Sequence, residues 1–311
     1  MTPGPGNYVT VDNVPLEKHY VPKRSQRTRS VLTFFAQDHA STEMVYANAD
    51  VTKTAAAREV IAFADYWAGA AGTDPGLLVF DSQLTTYAVL DELSARGIRW
   101  LTLRQRGRAV LAQLAALPAS AWTSARIQRS GRYRHAQLHD ELTTIKGIGS
   151  RVRQIAVANI GRDEPTLLIT NDHATPAKAL FTRYAERMLV ENELDAHIGG
   201  FHLDALSSGL PLNVDVDTTL TVLAGNLYRL LAPTLPRYQQ ATPDRLLPAL
   251  HRRHRETARH RRRRHCRPRR PHLPPGAHRH RLRRPHRHRP MVGRAHPAVP
   301  VPATLNLSAT I

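Results

Sequence analysis

Along this chain, apolar positions recur with two periods, and each change of period marks an element. VLTFFAQ (31–37) and EMVYANA (43–49) are β-rich runs separated by DHAST, a spacing that predicts an antiparallel hairpin with a short polar loop. In TKTAAAREVIAFADYWAGAAG (52–72), Val60, Ile61, Ala64 and Trp67 fall at helical spacing, and Gly72 closes the helix as a C-cap. LLVFDS (77–82) is an unbroken apolar run of the kind found in strands buried on both faces. The helix LTTYAVLDELSARG and the strand IRWLTLR (98–104) follow directly, and strand, helix, strand predicts a parallel pair with a right-handed crossover. Residues 118–165 read as inserted strands and loops whose pairing the pattern does not assign. TLLITN (166–171) is one more strand, and Pro176 opens KALFTRYAERMLVENELDAHI (178–198), expected as one long helix with Leu180, Tyr184, Arg187, Glu191, Leu194 and Ile198 on a single stripe. VDTTLTVLAGNLYRLL (216–231) is expected to pack as a helix on the sheet. The pattern predicts a mixed α/β core over 31–235, with a polar lead-in over 1–30 and a tail over 236–311.

Composition changes the picture at one end only. The formal net charge of +19 suggests a nucleic-acid binder, yet 18 of the 44 basic residues and one of the 25 acidic ones lie from His251 onward. Residues 1–250 thus keep 26 basic and 24 acidic side chains, a net of +2. The stretch 251–290 is built almost wholly of Arg, His and Pro with no apolar period that could bury a core, so disorder is expected there. All three residue types have GC-rich codons, and the tail reads as an out-of-frame translation of a GC-rich gene. A single cysteine, Cys266, excludes an intramolecular disulfide and a Cys-based zinc site. No apolar run reaches the roughly 18 residues of a membrane span, and no secretory signal pattern opens the chain, so a soluble, cytoplasmic protein is expected.

Three acids stand where chemistry is plausible. Glu191 shares a stripe with apolar residues, and a buried carboxylate must be protonated, paired or bound to a cation. Arg187, one turn earlier, is the bland partner. Asp81 directly follows an apolar run, where it either faces a functional cleft or caps the next helix with Ser82 or Thr85. Asp38 ends the first strand of the hairpin, where an ordinary turn role competes with a catalytic one; Asp50 is the reserve for that position. Arg104, Arg106 and Arg108 cluster after a strand and are candidate phosphate contacts, whereas Lys178 and Arg183 read as a solvated basic face.

RYAERMLVEN places Tyr184, Arg187 and Glu191 at Y-x2-R-x3-E spacing, and this stretch resembles the glutamate-bearing helix of the insertion-sequence-four group of DDE transposases. VLTFFAQDHASTEMVYANAD resembles the first-aspartate region of that group, VFDSQLTTYAVLDELSARGIRWLTLR the second, and FHLDALSS the stretch after the helix. The resemblance spans about residues 15–235. It implies an RNase H-like fold, a mixed sheet flanked by helices with a strand-rich insertion before the glutamate helix. It also implies a DNA transposase whose catalytic and metal-binding residues are Asp38, Asp81 and Glu191. Two Mg²⁺ ions, replaceable by Mn²⁺, would stabilise the attacking and leaving oxygens of an in-line displacement. Tyr184, Arg187, Arg104 and Arg106 would contact DNA, and joining two transposon ends implies a homodimer on DNA in a bacterial cytoplasm. Where the group's signature ends in lysine this chain has Ile198, and only 37 residues precede Asp38, fewer than the group's upstream DNA-recognition region needs. Two other functions remain in play: an inactive transposase remnant, and a non-enzymatic nucleic-acid binder acting through its arginine-rich tail.

Overall fold

The computed structural model describes residues 17–246, apart from 22–24, 83, 130–131, 162, 206–207, 209, 240 and 244, together with residues 304–310. The lead-in is not wholly featureless, because β1 (Lys18–Val21) and β2 (Gln26–Arg29) pair as a small antiparallel sheet. The expected hairpin follows as β3 (Leu32–Asp38) and β4 (Met44–Val51), antiparallel, and Asp50 lies within β4 rather than in a loop. Helix α1 (Ala56–Ala71) ends at Gly72, whose φ of 73° is the left-handed geometry a C-cap glycine supplies without a Cβ clash. Strand β5 (Leu77–Val79), helix α2 (Tyr87–Ala95) and strand β6 (Arg99–Leu103) make the parallel crossover unit.

After α3 (Arg108–Ala115), the inserted region resolves into β7 (Thr123–Arg129), β8 (Arg132–Thr143) and β9 (Val152–Ala158), an antiparallel run. It is continuous with the main sheet, because β9 pairs with β10 (Thr166–Thr170) and β10 with β6, both antiparallel. The single long helix of the sequence reading is instead two. Helix α4 (Ala177–Glu186) and helix α5 (Met188–Phe201) meet at Arg187, where the ladder tightens to three-residue bonds from Arg187 N to Tyr184 O (3.1 Å) and from Val190 N to Arg187 O (3.2 Å). Helix α6 (Pro211–Leu231) covers the outer edge of β4: Asn226 accepts from Met44 N and donates to Met44 O, and Asp215 accepts from Ala49 N.

A further strand, β11 (Thr304–Thr310), lies within the segment expected as tail. The sheet order is β4-β3-β11-β5-β6-β10-β9-β8-β7, with β11 parallel to β5 and antiparallel to β3. The Arg/His/Pro stretch 251–290, its expected disorder and its out-of-frame reading lie outside the described residues.

Strand alternation sorts the core into two layers. Phe34, Ala36, Leu78 and Phe80 pack with α1 and α2 on one face. Leu77, Val79 and Leu101 meet Leu180 of α4 on the other, where Phe35 also joins Val190 and Leu194 of α5. The result is a mixed α/β protein, a mixed sheet with helices on both faces. Among the described residues no helix is long and apolar enough to cross a membrane.

Candidate active site

Period-two alternation decides which way Asp81 faces. Leu77 and Val79 point toward α4, so Asp81, two residues on at the carboxyl end of β5, falls on the same side. There Arg187, at the junction of α4 and α5, reaches it at 3.8 Å and reaches Glu191 at 3.0 Å. The arginine side chain is only 13% exposed, whereas Asp81 is 44% and Glu191 48% exposed. One largely buried cation thus stands behind two acids that open to solvent. Both partners foreseen for Glu191 and Asp81 bear on this arrangement: the turn-to-turn pair of Glu191 with Arg187 forms, but Asp81 does not cap α2, since Thr86 takes that role by accepting from Val89 N. The Asp81 carboxylate accepts a bond from Ser82 Oγ at 3.2 Å.

Tyr184 supports the arginine from the preceding turn, with the guanidinium carbon 5.6 Å from the ring centre. Burial pushes the Tyr184 hydroxyl up to about 12. Burial opposes the charge on Arg187, yet Tyr184, Glu191 and Asp81 together hold its pKa above the usual guanidinium value. A junction of two helices is a sound place for such a group, and α5 is itself fixed to α6. Arg229 on α6 pairs with Glu193 at 2.6 Å. Gly225 lies so close to the buried His197 that an added Cβ would fall 1.9 Å from Nε2.

Asp38 does not join this pair, for two geometric reasons. Leu32, Phe34 and Ala36 face α1 and α2, and Asp38 shares their parity, so it falls on the sheet face opposite Asp81. Through the pairings Asp38–Leu305 and Leu305–Leu78 it is also level with Leu78, two strands from β5 and three residues short of Asp81. At strand spacings of about 4.8 Å across and 3.3 Å along, the two α-carbons stand roughly 14 Å apart. The Asp38 carboxylate instead accepts from Ser41 N at 2.8 Å, the turn role. The two strands beside β5, RWLTL and TLNLSAT, carry no acid. Among the described residues no three His, Cys, Asp or Glu side chains are gathered closely enough to hold a metal ion.

Arg104 and Arg106 follow β6, at the same end of the parallel pair as Asp81. Arg104 donates to Gln154 and Arg106 pairs with Glu164 at 3.1 Å, so both are held by the β9–β10 region. Two polar groups escaped the sequence reading. His39 Nε2 lies 3.4 Å from Glu186, and burial and then Arg183 lower its pKa. Asp172, 3% exposed at the end of β10, accepts from Ala174 N, Thr175 N and Thr175 Oγ1 and pairs with Arg99 at 3.1 Å. An acid after an apolar run was the only signal for Asp172, the same signal that singled out Asp81.

A search of protein-family models found none that matches this chain, and a search of curated proteins found no similar sequence.

Proposed function

We propose that this chain is the catalytic core of a DDE-type DNA transposase with an RNase H-like fold, acting on transposon ends and target DNA. The observation that carries the reading is the meeting of two sequence features far apart in the chain. Arg187 and Glu191 of the Y-x2-R-x3-E stretch stand against Asp81, the acid that ends the LLVFD run. Two solvent-open carboxylates on one side of a sheet end suit a hard divalent ion, so Asp81 and Glu191 are the residues that would hold Mg²⁺ or Mn²⁺. A three-acid, two-ion arrangement does not fit Asp38, which is on the other face. Arg187, backed by Tyr184, would take a DNA phosphate oxygen beside the acids, with Arg104 and Arg106 contributing from the same end of the sheet. A homodimer on DNA in a bacterial cytoplasm belongs to the same proposal.

A second reading is the inactive remnant. It is favoured by one observation, that neither strand beside β5 offers a carboxylate next to Asp81. Nicking of supercoiled plasmid by the full chain, with Mg²⁺, Mn²⁺ or EDTA, separates the two. The active reading expects metal-dependent nicks that vanish in Asp81→Ala and Glu191→Ala. The remnant reading expects no nicks, with or without Mn²⁺ held by those two acids. A folded chain that neither nicks DNA nor binds Mn²⁺ would remove the active reading and leave the remnant.

A further inference from the structure

The middle of the sheet depends on a strand that arrives from far along the chain. Among the described residues β11 is the partner of β3 and β5 on their facing edges; β3 otherwise pairs with β4, and β5 with β6. Without β11 the sheet would part into β4-β3 and β5-β6-β10-β9-β8-β7, with two rows of backbone donors and acceptors facing each other. The gap would be two strand spacings wide, about 10 Å, which is room for one strand. Its direction is set as well, because an occupant must run antiparallel to β3 and parallel to β5. Helices close it above and below, with Phe34, Ala36, Leu78 and Phe80 packed on one face and Phe35, Leu77 and Val79 on the other.

We propose that the space between β3 and β5 is a strand-acceptor site whose ligand is an extended peptide. Residues 304–310 act as a tethered and exchangeable donor strand for it. Two observations make the occupant exchangeable rather than a fixed part of the core. First, the donor is remote in sequence from both strands it joins, with 57 residues between Leu246 and Thr304. Second, a strand covered on both faces is normally apolar at both parities, whereas Thr304, Asn306, Ser308 and Thr310 make every second residue of this segment polar. Affinity in such a site comes from main-chain ladders, and side chains tune it, as in other cases of strand addition. A heptapeptide with valine in place of the central asparagine and serine therefore fits the site better than the chain's own segment. The tether's advantage is local concentration, on the order of millimolar at best, and cutting it removes that advantage.

The test uses the full chain with a protease site inserted between residues 290 and 300. The probes are two fluorescent heptapeptides, the native 304–310 sequence and its divaline form. After cutting, the native peptide is expected to enter at one per chain and the divaline form at least tenfold more tightly. The uncut chain should take up the native peptide only at millimolar concentration. Amide exchange at Thr33–Gln37 and Leu77–Val79 should stay protected while the site is filled. A cut chain that loses its fragment yet keeps those amides protected would overturn the proposal, as would a cut chain that takes up neither peptide. Leu307→Pro, at the position paired with Ala36, fixes φ and removes a backbone N–H from the donor segment, giving a second handle without cleavage. It should expose the β3 amides to exchange and admit peptide, and a variant with unchanged protection and no uptake would equally overturn it.

Discussion

Asp81 and Asp172 each follow an apolar strand run, LLVF in one case and LLITN in the other, and the chain treats them in opposite ways. Asp172 is closed off: 3% exposed, it is met by two backbone amides, a hydroxyl and Arg99. These donors hold its carboxyl below the usual aspartate value against the opposing effect of burial. Asp81 is open, with a serine hydroxyl and the outer reach of Arg187 as its partners. The ends differ too, because β10 runs antiparallel to β6 whereas β5 runs parallel to it. Asp172 therefore lies beside the start of β6 and Asp81 beside its end. A fully partnered acid serves the fold, and an incompletely partnered one is free to serve a ligand.

Substitution should break this comparison most strongly at Asp172. Asp172→Ala strands two amides and a hydroxyl and is expected to cost about 3 kcal/mol in urea unfolding, with Asp172→Asn losing less because it keeps an acceptor. The acid limb of stability should follow the same residue. A carboxyl with a depressed folded pKa stabilises the protein above its unfolded value near 4 and loses that contribution as pH falls through the lower folded value. Below about pH 4 the parent should therefore lose stability faster than Asp172→Asn, as read by thermal unfolding across pH. Equal acid limbs would show that Asp172 is not the group responsible.

At the open acid the same changes should barely register in stability. Asp81→Ala and Glu191→Ala are each expected to shift unfolding by no more than about 1 kcal/mol, because both acids are half exposed and Arg187 keeps one partner in either variant. Arg187→Gln is read through DNA binding rather than through stability. The slope of log affinity against log salt should fall by about one unit if Arg187 meets a phosphate, and should stay put if it only braces the acids.

Much of the framework was legible because its signals are local. The hairpin of β3 and β4, the Gly72 cap, the β5-α2-β6 unit and the start of α4 after Pro176 all rest on periodicity or on single residues with fixed backbone preferences. Three features were not local. The tightening at Arg187 carries no proline or glycine to announce it, and the sequence stripe runs through it unbroken. Asp38 was placed at a strand end correctly, but its face depends on parity and its end on strand direction, which only the pairing with β11 and β5 fixes. Strand β11 itself alternates over only seven residues, and nothing near it in sequence hints at a partner so far away.

On the proposed function Asp81 and Glu191 act as one cation-holding pair beside Arg187. Calorimetric titration of Mn²⁺ into the full chain, the parent beside Asp81→Ala and Glu191→Ala, tests it most directly, with circular dichroism recording that each variant stays folded. The expected result is Mn²⁺ binding by the parent that is lost in both variants. Binding that survives both substitutions, or a folded parent that takes up no Mn²⁺, would contradict it.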